Sequence, residues 1–297
     1  DFLSGVKTAI NEECEEICGA VKNLAILPAP FYSTLMDGCL TAGQDISQGA
    51  VYNNFGVHGT GLSTAADSLA ALQQAVFEAH LVSGGEMRDA LERDFAGFDR
   101  LYHYVRYQAP KLGDGTGEAQ TLAARLLGWF AEGLKGRKNE RGGIFRPGTG
   151  SAMFYLRHAE ELEASADGRR KNEPFGTNFS PGLYVRSKGP FSVVRSFAQL
   201  PTELAMNGGP LTMEFHSTVF RTQEGIESAA RLVKRYMDMG GHQLQLNAVN
   251  RNRLLEAQKN PDGHRDLIVR IWGWSAYFVE LDAEYQEHLI KRQEFAG

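Results

Sequence analysis

The sequence predicts an α/β fold, with a mainly helical first part over residues 1–140 and a strand-and-helix second part over residues 141–297. Three observations predict it. Apolar residues recur at helical spacing through most of the first part. From Arg141 onward Gly and Pro clusters (Gly142-Gly143, Pro147-Gly148, Gly150) cut the chain into short apolar runs. After Gly208-Gly209-Pro210 strand and helix patterns alternate, and such alternation requires crossover connections and parallel pairing.

In chain order, Phe2, Val6, Ile10, Cys14, Ile17 and Val21 mark a helix over 1–24, which Pro28 and Pro30 stop. A second helix is expected from Ser33. Residues 45–64, rich in Gly, Asn, Ser and Thr, read as a loop around a short strand at 50–53. A helix over 65–80 follows, then two or three more across 86–136, with Phe98, Leu101, Tyr102, Val105 and Tyr107 among their apolar positions. Turn formers dominate 166–188, and ordered loops of that length are usually functional. Next come a strand at 211–216 and a helical stripe of Ile226, Ala229, Ala230, Val233, Tyr236 and Met237 that ends at Gly240-Gly241. The last elements are a strand at 242–249, a short helix at 251–258 and a strand at 267–271. Within the strand at 242–249, Leu244, Leu246 and Ala248 face one way and Gln243, Gln245 and Asn247 the other.

Composition narrows the function. With 42% apolar residues the chain can bury a substantial core, while a formal charge of −5 and no basic run leave nothing to attract nucleic acid or an anionic membrane. No apolar stretch approaches the roughly 20 residues that cross a bilayer, and the expected location is the cytoplasm. Cys14, Cys18 and Cys39 are an odd, sparse set that suits free thiols in a reducing compartment. Cys14 and Cys18 stand four apart on the first helix, but no third ligand follows them, and His58, His216 and His242 lack metal spacing. Gly56, Gly59 and Gly61 lack the lysine of a phosphate-binding loop. Neither a metal nor a nucleotide is expected.

The most informative stretch is Val269-Arg270-Ile271-Trp272-Gly273-Trp274-Ser275-Ala276-Tyr277-Phe278, where one glycine interrupts an apolar and aromatic strand. Taken alone, such a glycine usually marks a bulge or the close approach of another backbone. A chemical reading also exists. Only glycine lets Cα flatten into a carbon radical conjugated with both flanking amides, without a Cβ pressing on the carbonyls.

This stretch resembles the signature of glycyl radical enzymes of the pyruvate formate-lyase superfamily: an arginine, two apolar residues, glycine, an aromatic residue and a small residue. Gly273 matches the radical glycine and Arg270 the signature arginine, with Trp272, Trp274 and Ser275 as supports of the radical loop. Trp272 stands where the family often has a small residue, and Trp274 where it usually has Tyr. The resemblance runs along nearly the whole chain in the family's order. It includes Pro30-Phe31, Asp37-Gly38-Cys39, Gly49-Ala50, Tyr52-Asn53, Asp67-Ser68-Leu69-Ala70-Ala71, Val76-Phe77-Glu78, Arg141-Gly142-Gly143, Asp167-Gly168-Arg169 and Glu173-Pro174.

The resemblance implies the second half of a ten-stranded α/β barrel, a parallel half-barrel with surrounding helices, an exposed apolar face and a C-terminal radical domain at about 175–297. It implies a lyase whose radical is installed by a radical S-adenosylmethionine activase, with no cofactor bound in this chain, in an anaerobic organism. It also implies a thiyl-forming cysteine, which none of the three present matches. Cys18 lies in a helix among acidic residues, and Cys39 belongs to a segment matched elsewhere. A missing N-terminal half that carries this cysteine is therefore an expected partner, with homo-oligomers expected of the complete enzyme. This chain alone should be inactive. A non-catalytic radical-domain partner and a catalytically dead fragment are the alternatives.

Three segments, 146–153, 209–216 and 241–247, look more like the arylacetate decarboxylase branch, which acts on 4-hydroxyphenylacetate and indoleacetate. Dehydratases, C–S lyases, arylalkylsuccinate synthases and formate acetyltransferases are the competitors. On the arylacetate reading Arg146 pairs with the carboxylate of a small organic acid through its planar fork, and Asp37 accepts a proton from the substrate's phenol or indole.

Overall fold

The structure is a computed structural model that describes residues 2–150 and 153–295. Helices α1 (Phe2–Ala20), α2 (Pro30–Thr34), α3 (Cys39–Ala42) and α4 (Ile46–Gly49) lead to strand β1 (Phe55–His58). Helices α5 (Leu62–Leu72), α6 (Gly84–Glu92), α7 (Asp99–Tyr107) and α8 (Glu118–Leu134) then lead to β2 (Phe145–Gly148), which pairs in parallel with β1. Helices α9 (Phe154–Glu161) and α10 (Pro190–Ala198) precede β3 (Pro210–His216), and α11 (Gln223–Asp238) crosses over to β4 (Gln243–Val249). After α12 (Arg251–Lys259) come β5 (Ile268–Arg270), β6 (Ser275–Tyr277), α13 (Ala283–Lys291) and β7 (Glu294–Phe295). Strands β4 and β7 flank β3, both parallel to it.

The two parallel sheets meet at the entry to β3. There Asn207 N–H donates to the Pro147 carbonyl at 2.9 Å and Thr149 N–H to the Gly208 carbonyl at 2.8 Å. The main core lies between helices and sheet: Ala66 and Ala70 of α5, Ala119, Leu122, Ala123, Leu126 and Leu127 of α8, and Leu211, Met213 and Phe215 of β3 are all buried. The alanines let α5 and α8 approach closely, and the apolar residues of β3 fill the space beneath them.

Four local expectations need correction. The strand expected at 50–53 sits at β1 instead, because the Asn53 side chain closes the preceding loop by donating to the Gln48 carbonyl at 2.7 Å and to the Ala50 carbonyl at 2.9 Å. Pro30 does not stop a helix but occupies the first turn of α2, where its missing N–H costs nothing, so that helix starts before Ser33. The helix expected over 65–80 begins at Leu62 and widens into a π-helical segment at Gln73–Glu78. The strand expected at 267–271 is not parallel: β5 turns back at Gly273 and pairs antiparallel with β6.

The turn-rich segment is buried and held by two arginines. Arg169 is 1% exposed and donates to the carbonyls of Arg170 at 3.0 Å, Glu173 at 2.9 Å and Glu163. Arg106 grips the Glu173 carboxylate at 2.7 and 3.0 Å and donates to the Gly168 carbonyl at 2.7 Å. Gly168 takes φ +89°, and a Cβ there would lie 2.6 Å from Arg106 Cβ. Gly168→Ala is therefore expected to destabilise the chain by about 3 kcal/mol, from left-handed strain plus overpacking. Denaturant unfolding measures this, and a loss below about 1 kcal/mol would show that the loop yields instead.

Candidate functional site

Trp272 and Gly273 link β5 to β6, between Ile271 and Trp274, which are joined by Ile271 N–H donating to the Trp274 carbonyl at 3.0 Å. The φ of Gly273 is +68°, in the left-handed region, and glycine adopts it without Cβ strain. A Cβ built at Gly273 meets no atom within 4 Å, so backbone conformation rather than packing favours glycine here. The glycine is exposed at the hairpin tip and does not interrupt a continuous strand.

The other residues of the signature gather around it. Arg270 and Ser275 are partners across the hairpin, with the guanidinium donating to Ser275 Oγ at 3.2 Å. Trp272 is half-buried against Gly150, where a Cβ would come within 2.7 Å of its ring and 3.3 Å of His58 Cε1. Trp274 is 40% exposed. Beneath the tip, Ile271 is buried with Leu254, Val269, Phe278 and Ile290, which anchors the hairpin on α12 and α13.

Polar contacts tie this turn to the sheet. Gly273 N–H donates to Gln245 Oε1 at 3.3 Å, and Gln245 Nε2 donates to Asn247 Oδ1 at 3.2 Å. Asn247 Nδ2 donates to Glu214 Oε1 at 2.9 Å, and the same oxygen accepts from Arg292 at 2.8 Å. Through its other amino group Arg292 reaches the Ile271 carbonyl at 3.4 Å and Tyr155 Oη at 3.5 Å. Glu214, Asn247 and Arg292 are all buried. Burial above all pushes the Tyr155 phenol up. In the sequence Gln243, Gln245 and Asn247 mark one polar face of a strand, and no local pattern joins them to Glu214 or Arg292. A charged residue inside the otherwise apolar run of β3 was the available signal, since a buried carboxylate needs a partner.

Asp37 and Arg146 stand apart from this constellation. Asp37 is exposed in the turn between α2 and α3, where its backbone carbonyl accepts from Val51 N–H at 3.2 Å. Arg146 is half-buried on β2 opposite Gly56, and its Nε is buried without a hydrogen-bond partner. Among the described residues no hydrogen bond or ion pair links either to the hairpin. Ser151 and Ala152, within the 146–153 segment, lie outside the described residues. Cys14 and Cys18 pack with Val57, Leu134 and Phe145, and burial raises both thiols above their ordinary range. Cys39 is buried in α3. Among the described residues no group of three or more His, Cys, Asp and Glu side chains is placed to hold a metal ion, and no helix is long and apolar enough to cross a membrane.

Residues 18–157 match the family described as pyruvate formate lyase-like, and residues 175–279 match the family described as glycine radical. The chain belongs to the glycyl radical enzyme family. Among its relatives are trans-4-hydroxy-L-proline dehydratase of Clostridioides difficile, 30% identical over 99% of this chain and 36% of its own length, and (2S)-3-sulfopropanediol dehydratase of Klebsiella oxytoca, 32% identical over 99% and 37%. The glycerol-bound, B12-independent glycerol dehydratase of Clostridium butyricum superposes with a TM-score of 0.93 at 29% identity, covering 100% of this chain and 38% of that one. The fold is therefore that of part of a glycyl radical enzyme α/β barrel, and the chain spans little more than a third of these relatives. Decarboxylases of 4-hydroxyphenylacetate and indoleacetate are also similar, at 25–26% identity.

His288 packs beside this network on α13, its ring 4.5 Å from that of Tyr155 and its Nε2 3.3 Å from the Phe175 carbonyl. Burial first, then the Arg292 charge, holds its imidazole well below the ordinary 6.5. The unfolded chain thus binds a proton that the fold refuses. The resulting stability is complete above the unfolded pKa and is lost as pH falls through and below it. Denaturation midpoints are expected to drop from about pH 7.5 to about pH 5.5, with a shallower slope in His288→Gln. Equal slopes in the two proteins would assign the acid sensitivity to other groups.

Proposed function

We propose that this chain is the radical-bearing part of a glycyl radical enzyme, with the unpaired electron stored on Cα of Gly273 and with a dehydratase as the complete enzyme. The observation that carries the reading is the Gly273 turn, where the family signature coincides with a left-handed backbone, a free Cβ direction and a fixed attachment to the parallel sheet. Conjugation of a planar Cα radical with both amides needs rotation away from φ +68°, and glycine allows that rotation at least cost. In turnover, Gly273 Cα accepts a hydrogen atom from a thiol, leaving a thiyl radical that acts on the substrate, and the reverse transfer restores the glycyl radical. The three cysteines of this chain are buried in helices, and none belongs to the cluster beneath the hairpin, which supports a thiol from the part of the enzyme that this chain does not span.

A radical S-adenosylmethionine activase is the partner that this chemistry requires. The large exposed apolar residues of 24–52, among them Leu27, Phe31, Tyr32, Leu40 and Tyr52, support burial of this face by the remainder of the enzyme. Arg146, with its unpartnered Nε, is the proposed donor to a polar substrate group, either a hydroxyl or a carboxylate.

Activation of the complete enzyme under anaerobic conditions is expected to give a paramagnetic doublet, split by the single remaining Cα hydrogen, and air is expected to cut the backbone at Gly273. In Gly273→Ala both should vanish while the fold persists, because the added methyl meets no neighbour and costs about 1–2 kcal/mol of left-handed strain. A doublet that survives in this variant, or cleavage mapped elsewhere, excludes Gly273.

The substrate class rests on the relatives. The two dehydratases are 30–32% identical, against 25–26% for the arylacetate decarboxylases, which favours dehydration over the decarboxylation that the sequence segments suggested. The activated enzyme is expected to remove water from a small hydroxylated compound, with propane-1,2-diol, glycerol and trans-4-hydroxy-L-proline as first substrates. Release of carbon dioxide from 4-hydroxyphenylacetate or indoleacetate instead would return the chain to the decarboxylase branch.

A further inference from the structure

The Gly273 turn is held from both sides by one hydrogen-bonded circuit. It runs from Gly273 N–H through Gln245, Asn247, Glu214 and Arg292 to the carbonyl of Ile271, two residues before the glycine. We propose that Gln245 is a positioning residue for the radical glycine: its side-chain oxygen fixes the Trp272–Gly273 amide, and the circuit behind it fixes Gln245. The proposal rests on the reading of Gly273 as the radical residue.

The turn has little else to hold that amide. No hypothetical Cβ at Gly273 touches anything, the glycine is exposed, and Trp274 beyond it is 40% exposed, so hydrophobic packing ends at Ile271 and Trp272. Gln245 itself is placed from two directions. The pleat of β4 puts it on the same face as Asn247, and its amide nitrogen is engaged by Asn247 Oδ1, which leaves its oxygen aimed at the turn. Asn247 is fixed in turn by its register partner Glu214, whose position the buried Arg292 sets. The alternation of Gln243, Gln245 and Asn247 thus has distinct uses at successive levels: Gln243 accepts from Gly209 N–H at 2.8 Å, Gln245 from Gly273, and Asn247 joins the ion pair.

This placement bears on the chemistry because spin on Cα spreads into the flanking amides only as far as their planes align with it. Hydrogen transfer to and from Cα also falls steeply when the reacting atom is misplaced by an ångström. A loosened amide would leave the glycine in place in the sequence but spread over several geometries.

Gln245→Leu removes both the acceptor and the donor, whereas Gln245→Glu keeps an acceptor for Gly273 N–H. Neither change enters the buried core, since Gln245 is only half-buried. In this 297-residue chain, hydrogen exchange at the Gly273 amide is expected to quicken about five-fold in Gln245→Leu and by less in Gln245→Glu, which loses only the link to Asn247, with β3 and β4 amides unchanged in both. In the activated complete enzyme the doublet of Gln245→Leu is expected to differ in splitting or width from wild type, and that of Gln245→Glu, which keeps the acceptor but not the link to Asn247, to differ less. Unchanged exchange in Gln245→Leu, or superimposable doublets from all three proteins, overturns the positioning role. A wild-type enzyme that gives no doublet at Gly273 removes the radical reading itself, and this inference with it.

Discussion

The buried contact between Arg292 and Glu214 is the constraint on which the placement of the hairpin depends. Both side chains are nearly inaccessible, at 6% and 5% exposed, and the contact is 2.8 Å. Taking two ions out of water is expensive, and their attraction repays that cost only when geometry is close and the remaining polar atoms find partners. Here Asn247 shares one Glu214 oxygen, and Tyr155 and the Ile271 carbonyl share the guanidinium, while Glu214 Oε2 and Arg292 Nε stay buried without a hydrogen-bond partner, so the condition is met only in part. Five positions far apart in sequence are thereby brought to one place: α9, β3, β4, the turn after β5 and the segment between α13 and β7. A well-packed apolar cluster of similar volume would match the net stability but would not fix the direction of a carbonyl two residues from Gly273.

The same contact explains why the chain reverses where it does. Strand β5 is only three residues long, and Ile271, directly after it, is buried while Gly273 is exposed. The apolar anchor sits just below the tip, and Arg292 takes the Ile271 carbonyl at that point. A left-handed glycine turn then sends the chain back as β6, so the hairpin stands on the core formed with α12 and α13 and leaves the parallel sheet to β3, β4 and β7.

Much of this was legible in the sequence, and the parts that were not share a cause. Strands β3 and β4 and helix α11 followed from alternation and from the stripe ending at Gly240-Gly241, because each signal is local and repeats several times. Strand β1 was misplaced because Asn53 uses its side chain to close a loop, a choice that composition does not reveal. The hairpin was read as one interrupted strand because Gly273 sits between apolar residues on both sides, and only the pairing of Ile268 with Tyr277 shows the reversal. Arg292 carried no local signal at all: its role depends on Glu214, 78 residues earlier in the chain. The signature residues Arg270, Trp272, Trp274 and Ser275 were found together because they are contiguous. Gln245, equally close to Gly273 in space, was not.

The radical proposed for Gly273 would need protection from water and oxygen between turnovers, yet Gly273, Trp274, Ser275 and Tyr277 are exposed in this chain. The same chain leaves Leu27 88% exposed and Tyr52 84% exposed in its helical part, and β4 is an edge strand of its sheet. Each feature alone has an ordinary explanation. Together they place an open strand edge, an apolar surface and the exposed Gly273 turn on a chain that spans little more than a third of its relatives. Burial of the apolar surface is worth about 25 cal/mol for each Å² removed from water, and pairing would satisfy the strand edge. On the proposed radical reading, the association that shields Gly273 would be driven by apolar surface on the helical part of the chain. The Arg292 circuit serves a different purpose, holding the turn in one place before that cover arrives.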